Sequence, residues 1–357
     1  MQISTQCKGC GTDLTYQPGA NTLTCSYCNQ SVPLTNVGSQ EANKEIDLEE
    51  YLKNYSQKNA RVERQIIHCK SCGAKTELAE NQQSGSCPFC DTAYVFSQST
   101  STHHTKPQGL LPFQIERKQA LANVQTWLGK LWFAPSALKK QSTQLEKMRG
   151  IFLPFWTYDC LTNNRYTGER GIRHNKTITN KDSQGNQITH DETEIRWSSV
   201  SGHFDTEFDD LLIPASHSLP NEYQHALAPW DLNKLVNYSD DYLAGYVTES
   251  YQLDVKAGYQ QACKIMSDRL HEETAQKIGG DEQRNIEIET RYSQAHFKHI
   301  LLPVWVSAYK FRNKSYQILV NAQTGAVYGK RPWSVMKIIG MVAGVIGALV
   351  LGYMLFN

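Results

Sequence analysis

Eight cysteines near the start of the chain form two identical patterns that are suited to binding metal. The two quartets share the spacing C-x2-C-x14-C-x2-C and lie 62 positions apart (69 − 7): Cys7, Cys10, Cys25 and Cys28, then Cys69, Cys72, Cys87 and Cys90. Two cysteines on one tight turn supply half of a tetrahedral shell, and a second pair completes it with Zn–S distances of about 2.3 Å. The spacing is typical of zinc ribbons, so we predict two structural Zn²⁺ ions. A disulfide framework is the alternative.

The thiolates and the N-terminus together indicate a reducing compartment. Metal-bound thiolates require reduced cysteines, and the opening residues Met1–Ser4 lack the charged and then apolar pattern of a secretory signal. We therefore expect the ribbons to lie in the cytosol. Cys160 and Cys263 stand alone in the sequence, and we expect them to be small buried side chains.

A second strong feature is an apolar run at the C-terminus. The segment Ile338–Phe356 holds 19 residues without a charge, which as a helix spans about 28 Å and matches the roughly 30 Å core of a bilayer. Lys330, Arg331 and Lys337 precede the run, and basic residues favour the cytoplasmic side. We predict one transmembrane helix over 335–356, in an inner membrane, with the N-terminal bulk in the cytoplasm. A buried core helix is the alternative.

Two features of this run concern what it contacts. Trp333 falls at the expected membrane interface, where tryptophan is enriched. Small residues recur every fourth position and would form one smooth stripe along the helix, at Gly340, Gly344, Ala348 and Gly352. Such a stripe permits close helix packing in lipid, so it predicts either self-association or, since glycines are common in single spans, no contact at all.

The charge of the chain argues against broad nucleic-acid binding. With 357 residues, 20% charged and a formal net charge of +1, the chain is neither disordered nor basic. The first 95 residues hold eight Lys and Arg against ten Asp and Glu, a balance of 8 − 10 = −2. Two four-thiolate zinc centres, each formally −2, bring this segment to −2 − 4 = −6. Because nucleic-acid affinity rests first on neutralising phosphates, we expect such binding to be unfavourable.

The patterns predict an α+β protein. Its predicted segments are zinc ribbon 1 over 1–36, an amphipathic helical connector over 37–66, zinc ribbon 2 over 67–96, a polar linker over 97–109, an α+β cytoplasmic domain over 110–332 and the transmembrane helix over 335–356. Within the domain, helical spacing predicts helices from about Glu116 and over 253–278, and a short one with Leu138 and Leu145. The alternating stretch 177–213 predicts a hairpin with its turn at 183–186.

A short internal repeat suggests that the domain contains a duplicated β unit. Ile151–Trp156 and Ile300–Trp305 share three apolar residues, a proline and a tryptophan at equivalent positions, 149 residues apart (300 − 151). Because proline cannot donate to a sheet ladder, we predict that both segments are edge strands.

The sequence carries no complete motif for nucleotide or metalloprotease chemistry. A phosphate loop needs G-x4-G-K-[ST] so that backbone amides and a lysine surround the phosphates. The nearest segment, Gly325–Arg331, is one residue short and lacks the hydroxyl. His271–Ala275 begins like a zincin helix but has alanine where the second histidine is needed. We therefore expect a protein that is not an enzyme, with scattered catalytic residues as the open alternative.

Eight segments outside the cysteines carry a resemblance to a known family. They are Pro112–Phe113, Trp132–Pro135, Leu153–Tyr158, Tyr166–Gly171, Pro229–Leu232, Ile278–Arg284, His299–Trp305 and Val320–Gly325. With the paired ribbons, they resemble a bacterial family of tail-anchored membrane proteins, often labelled primosomal protein N′-like or TFIIB-type zinc ribbon proteins. The resemblance implies a terminal membrane span. It also implies association with SPFH (flotillin-like) and phage-shock-type membrane-stress proteins.

Two functions from different classes follow. The first is a membrane-anchored adaptor whose ribbons bind a protein, with an SPFH-type or phage-shock-type partner in membrane-stress response. The second is a DNA-associated ribbon factor, such as a primosome or helicase accessory without ATPase motifs of its own. The acidic ribbon segment and the tether favour the first. Aromatic residues expected to contribute to a protein-binding surface are Tyr27, Phe89, Tyr94 and Phe96.

Overall fold

The α+β class predicted from the sequence is confirmed. The computed structural model describes residues 6–34, 38–54, 61–70, 72–77, 84–90, 92–95, 100–133, 135, 148–181, 187–216, 218, 223, 226–311, 314–330 and 333–356. Large antiparallel sheets are combined with helices, the two four-cysteine groups lie near the N-terminus, and an apolar helix lies at the C-terminus.

The N-terminal part consists of short strands around the cysteines. The first ribbon is an antiparallel sheet of β1 (Leu14–Tyr16), β2 (Thr22–Cys25) and β3 (Ser31–Pro33). The connector holds β4 (Ile46–Asp47) and α1 (Leu48–Asn54). Around the second ribbon lie β5 (Arg61–His68), β6 (Lys75–Glu77), β7 (Ser84–Ser86), β8 (Ala93–Val95) and β9 (Thr100–Thr105).

Two predicted segments in this part contain strands that the sequence patterns did not indicate. The helix of the 37–66 connector covers only α1 within the described residues, and the end of that segment is strand β5. The predicted linker 97–109 contains β9, which pairs antiparallel with β5, and the beginning of a strand of the central sheet. The linker prediction rested on polar composition. Threonine is nevertheless favoured in strands, and ladder hydrogen bonds join backbones regardless of side-chain polarity.

The domain alternates short strands, helices and three very long strands. Its elements are β10 (Gly109–Leu110), α2 (Arg117–Lys130), β11 (Arg149–Lys181), β12 (Gln187–Pro214), β13 (Val236–Asn237), β14 (Val247–Thr248), α3 (Val255–Ile278), β15 (Glu282–Phe311), β16 (Lys314–Asn321) and β17 (Val327–Gly329). The predicted helices at 116 and 253–278 and the pairing of the predicted hairpin are confirmed as α2, α3 and β11–β12. The hairpin turn predicted at 183–186 lies outside the described residues. The short helix predicted around Leu138 and Leu145 lies outside the described residues.

The long strands β11 and β15 pair with each other about an approximate two-fold axis. In their antiparallel register Leu153 lies opposite Leu302, and these two residues are separated by the 149 positions (302 − 153) of the sequence repeat. On either side, Ile151 pairs with Val304 and Phe155 with Ile300. The two repeats therefore pair with each other symmetrically, and an approximate two-fold axis through the Leu153–Leu302 pair relates one to the other.

The neighbours of these two strands obey the same symmetry. The strand that follows β11 joins it from Phe155 onward, and the strand that follows β15 joins it from Val304 onward, the residue equivalent to Phe155. Short β14 pairs in parallel with Ile151–Phe152, and short β10 pairs in parallel with Ile300–Leu301, again equivalent residues. The duplicated unit is thus strand, helix, long strand and strand, and each short strand pairs with the long strand of the other copy.

Two tryptophans fix the helices to the sheet in equivalent ways. Trp156 Nε1 donates to the carbonyl of Leu253 at 2.9 Å, and Trp305 Nε1 donates to the carbonyl of Ile115 at 2.7 Å. Each acceptor lies two residues before the first residue of its helix, α3 or α2. The repeated tryptophan therefore sets where each helix begins over the sheet.

The prediction that the repeated segments are edge strands is wrong, because both have partners on each side. The carbonyl of Pro154 accepts the N–H of Ala215, and the carbonyl of Pro303 accepts the N–H of Ala322. Since N and C=O of one strand residue face the same side, each proline nitrogen faces the gap where one neighbouring strand ends and the next begins. Proline is tolerated there because no carbonyl of a neighbouring strand needs a hydrogen bond from a backbone N–H at that position.

The two faces of the sheet carry different partners. On one face α2 packs with Phe152, Leu301 and Trp305, and α3 packs with Trp156 and Tyr158. The other face carries the second ribbon.

On that second face, Leu153 and Leu302 pack in one cluster with Cys69, Cys87 and Phe89 of the second ribbon. The first ribbon joins the α2 cluster instead. Both ribbons are therefore parts of the domain core rather than separate modules.

The C-terminal helix α4 (Val335–Phe356) stands apart from this core. Among the described residues it is the one helix long and apolar enough to cross a membrane, with a mean hydropathy of 2.3 over Val335–Leu355 and none of it buried. A Cβ placed on Gly340, Gly344 or Gly352 meets open space, so the small-residue stripe is uncovered within the chain.

We predict that Trp156→Phe and Trp305→Phe lower the free energy of unfolding by similar amounts, about 1–3 kcal/mol each, because each leaves a carbonyl at a helix start without its donor. Urea unfolding of the full chain in detergent, followed by circular dichroism, measures this. Trp132→Phe makes the same change at a side chain that is 78% exposed, and we expect it to stay within about 0.5 kcal/mol of the wild type. An effect confined to one of the two buried positions would contradict their equivalence.

Candidate metal centres

The first four-cysteine group brings its sulfurs together without joining them. Sγ of Cys7 lies 3.5 Å from that of Cys28, and Sγ of Cys10 lies 3.4 Å from that of Cys25 and 3.6 Å from that of Cys28. A disulfide requires about 2.05 Å, and all four cysteines are free thiols. The disulfide alternative is therefore not the arrangement in this structure.

Local backbone geometry explains why these residues form the group. The N–H of Gly11 donates to the carbonyl of Cys7 at 2.8 Å, and the N–H of Asn29 donates to that of Cys25 at 3.1 Å. Gly11 and Asn29 have φ of 75° and 57°, in the left-handed region that glycine and asparagine tolerate. Each C-x2-C pair thus closes a tight turn that points both sulfurs inward.

The second group repeats this geometry. Sγ of Cys69 lies 3.6 Å from that of Cys90, and Sγ of Cys72 lies 3.5 Å from that of Cys87. The N–H of Gly73 donates to the carbonyl of Cys69 at 2.8 Å, with φ of 80°. The eight cysteines predicted as ligands are therefore brought together in the two predicted sets of four.

Both groups fit a tetrahedral divalent metal. Four thiolates at about 2.3 Å from one ion lie about 3.8 Å from each other, close to the observed separations, and the ligand atoms of each group lie within 4.8 Å of one another. The hydrogen bond from Cys87 lowers the pKa of the Cys72 thiol to about 5, while that bond and burial raise the pKa of Cys87. Without a cation the four sulfurs cannot all be ionised, so a metal is needed to hold four thiolates together.

The two ribbons are docked by different contacts. In the first, the N–H of Tyr16 donates to the carbonyl of Ala244 at 3.0 Å. In the second, the N–H of Ser250 donates to the carbonyl of Lys75 at 3.0 Å. Arg149 Nη1 donates to the carbonyl of Ser86 at the same distance. These bonds join each metal group to a strand or turn of the domain.

The exposed aromatic surface differs from the one predicted. Tyr27, next to Cys28, is 80% exposed, whereas Phe89, next to Cys90, is fully buried. Phe89 is buried because the second ribbon lies on the sheet, where Gln317 Nε2 donates to its carbonyl at 3.0 Å. Its prediction as part of a binding surface is therefore wrong. The side chains of Tyr94 and Phe96 lie outside the described residues.

No sequence pattern indicated the buried carboxyl that lies beside the second ribbon. Glu249 is 1% exposed, and its carboxyl accepts hydrogen bonds from the hydroxyls of Ser216, at 3.0 Å, and Ser218. Its backbone forms a bridge with Thr76 of the ribbon. Burial raises the pKa of Glu249 to about 8, so the side chain is largely neutral at pH 7.

A buried lysine surrounded by carboxylates also went unnoticed in the sequence. Lys298 Nζ lies 2.7 Å from Asp210 Oδ1, 3.8 Å from Glu45 Oε1 and 4.0 Å from Asp159 Oδ2. Asp159, Asp209 and Asp210 have carboxylates close enough to hold a cation, but the ammonium already supplies positive charge there. Burial raises the pKa of Asp159 to about 6. The cluster lies where the register of β11 shifts against both β12 and β15, and its members belong to four separate segments.

The two remaining cysteines differ in exposure. Cys160 is buried, as predicted, while Cys263 is only partly buried. Both lie beside Tyr259, whose hydroxyl is 3.9 Å from Sγ of Cys160. Cys160 belongs to the cluster that packs α3 against the sheet.

Comparison with known proteins gives one distant relative. No family model matches the chain, and no solved structure matches it. The chain is 27% identical over 367 aligned positions to the Bacillus subtilis (strain 168) protein described as "Uncharacterized protein YdjG". The alignment covers 100% of this chain and 98% of that protein, so the similarity spans the ribbons, the domain and the apolar helix. The description of that relative names no activity, ligand or partner.

We predict two metal ions in the purified chain, one for each group of four sulfurs. Cys25→Ser and Cys87→Ser each remove one ligand of a different group, so each variant is expected to retain one ion, measured by elemental analysis against protein concentration. Cys263→Ser, outside both groups, is the matched control and is expected to retain two. Two ions in either of the first two variants would contradict the assignment.

A second prediction concerns Glu249. With its pKa raised from 4.5 to about 8, the folded protein keeps a proton that the unfolded chain releases between these pH values. Stability therefore falls as pH rises through this window, by up to roughly 1.4 kcal/mol per pH unit. Glu249→Gln is expected to remove this part of the slope, measured by urea unfolding at pH values of about 5.5, 6.5 and 7.5. Glu287→Gln, at an exposed position of β15, is expected to leave the slope unchanged, and an unchanged slope in Glu249→Gln would contradict the burial argument.

Proposed function

We propose that this protein is a membrane-anchored adaptor that uses two structural zinc ribbons and the domain joined to them to bind another protein at the cytoplasmic face of the inner membrane. The observation that carries the proposal is the closed character of both metal groups. Each has four cysteine sulfurs and so leaves a tetrahedral ion no open position, which is the arrangement of structural rather than catalytic sites.

Zinc is the metal that best suits these ligands. It accepts four thiolates in tetrahedral geometry without a redox change, and cytoplasmic thiols remain reduced and available to it. Zinc at each site would hold together the two C-x2-C pairs of a ribbon that is too small to form a core alone. The residues that would bind it are the eight cysteines of the two groups.

Membrane anchoring is supported by α4. Its 22 residues span about 33 Å, slightly more than the roughly 30 Å core of a bilayer, and none of its residues is buried. Lys330 and Lys337 flank its N-terminal end, which favours a cytoplasmic position for the ribbons and the domain. The uncovered stripe from Gly340 to Gly352 would allow two such helices to approach closely.

Protein binding is supported by the exposure of Tyr27. Its ring is 80% exposed in the second C-x2-C pair of the first ribbon, and exposed tyrosines are enriched at the centres of protein interfaces. The family resemblance makes an SPFH (flotillin-like) or phage-shock-type membrane-stress protein the favoured partner.

DNA binding is the alternative, and the exposed Lys8 and Lys70 favour it locally. The formal charge of the ribbon segment disfavours it.

The proposal is tested by fractionation followed by purification. The full chain is expected in the membrane fraction, released by detergent and not by high salt, while a chain that ends at Trp333 is expected in the soluble fraction. The full chain, cross-linked in cells and purified from solubilised membranes, is expected to carry an SPFH-type or phage-shock-type protein, identified by mass spectrometry. Tyr27→Ala is expected to reduce its recovery several-fold, and Tyr292→Ala, on β15 far along the chain from the ribbons, is the matched control.

The same preparation distinguishes the alternative. At physiological salt the purified full chain is expected to show no appreciable affinity for duplex or single-stranded DNA. Sub-micromolar binding that weakens in Lys8→Ala or Lys70→Ala and falls steeply with salt would favour the DNA-associated function. Equal recovery of the partner with wild type and Tyr27→Ala would contradict the role of the first ribbon.

A further inference from the structure

The C-terminal end of α2 lies against the first turn of α4. The N–H of Ser334 donates to the carbonyl of Phe133 at 2.8 Å, and Lys337 Nζ donates to the carbonyl of Trp132 at 3.2 Å. The rings of Phe133 and Trp333 lie with their centroids 6.3 Å apart. The beginning of the apolar helix is therefore tied to one defined point of the domain.

That point is held firmly by the core. Leu128 and Leu131, in the last turn of α2 and just after it, are buried in the cluster that contains Trp305. Asn123, earlier in α2, donates from Nδ2 to the carbonyl of Gly325 at 2.9 Å. Because α2 is fixed to the sheet, Trp132 and Phe133, which directly follow its last turn, are placed by the domain.

Trp132 projects from this fixed point away from the core. Its side chain is 78% exposed, and that of Trp333 beside α4 is 58% exposed. Two indoles exposed at one place are unusual for a surface in contact with water alone. Tryptophan favours the membrane–water interface, where the ring leaves water and its N–H can still bond to headgroups or water.

Lysines lie around the same place. Lys130 ends α2 and is exposed, and Lys337 lies in the first turn of α4. Lysines beside a membrane helix place their ammonium groups among lipid phosphates while their methylene chains remain in the apolar layer. The combination of indole and ammonium groups therefore matches the headgroup region of a bilayer.

We propose that Trp132, Phe133 and Trp333 form an interfacial membrane contact that seats the domain directly on the bilayer surface. The occupant is the lipid headgroup region, because these aromatic residues are continuous with an apolar helix in which no residue is buried. The inference rests on the membrane anchoring proposed above. It goes further, because a contact of the domain itself with lipid, at the end of α2, would hold the ribbons at a fixed orientation to the membrane.

Quenching of tryptophan fluorescence by brominated lipid tests this contact in the full chain. The protein is reconstituted in nanodiscs of phosphatidylcholine, either plain or with bromines near the ester end of the acyl chains. Quenching is compared between the wild type and Trp132→Phe, Trp333→Phe and Trp197→Phe. The last is the control, because Trp197 pairs with Gly171, far along the β11–β12 hairpin from α2.

The outcomes separate this contact from the anchoring itself. The quenched fraction is expected to fall in both Trp132→Phe and Trp333→Phe and not to fall in Trp197→Phe, which removes an indole outside the contact. A quenched fraction that falls only in Trp333→Phe would be consistent with an inserted α4 and would overturn the proposed membrane contact of Trp132. No fall in either would mean that α4 is not inserted, so the anchoring fails with it. Emission of Trp132 that is blue-shifted but not quenched would show that protein, such as a second copy of this chain, covers the indole, which also overturns the proposal.

Discussion

The antiparallel pairing of β11 with β15 about Leu153 and Leu302 is the interaction on which the rest of this structure depends. The two strands bring together segments 149 residues apart, and each then accepts the short strand that precedes the helix of the other copy. The helices are placed by the same exchange, through the indoles of Trp156 and Trp305. Loss of this pairing would leave neither copy with a complete sheet, so the two copies are expected to fold as one cooperative unit.

The ribbons extend this dependence to the metal groups. A ribbon of about thirty residues cannot bury enough apolar surface to be stable alone, and here the domain supplies part of what is missing, beside a four-cysteine group that could hold a metal ion. Phe89 of the second ribbon is fully buried on the sheet, and the backbone of Glu249 forms a bridge with the same ribbon. Metal binding at these groups would therefore be coupled to domain stability, and an adaptor built in this way would present its ribbons in a fixed geometry rather than on flexible arms.

Local sequence patterns predicted the elements that local physics controls. The helical spacing around Val124 and Met266 predicted α2 and α3, because the spacing of apolar residues along an amphipathic helix can be read directly from the sequence. The predictions that were wrong concerned neighbours. Pro154 and Pro303 indicated edge strands, although each faces a gap between two strands that the sequence does not show to be adjacent. The polar segment 97–109 indicated a linker, although β5 provides a partner for its residues 100–105.

The sequence by itself determined the cysteine groups and the apolar helix, since both are defined by spacing and composition within one short segment. It also contained the repeat, although six positions could not show that the copies pair with each other. Only the tertiary structure decided that Glu249 is buried beside a ribbon, that Lys298 meets carboxylates from separate segments, and that Trp132 lies beside the start of α4. These features depend on contacts between residues far apart in the chain, and no local pattern of charge or hydrophobicity encodes which distant backbone will approach.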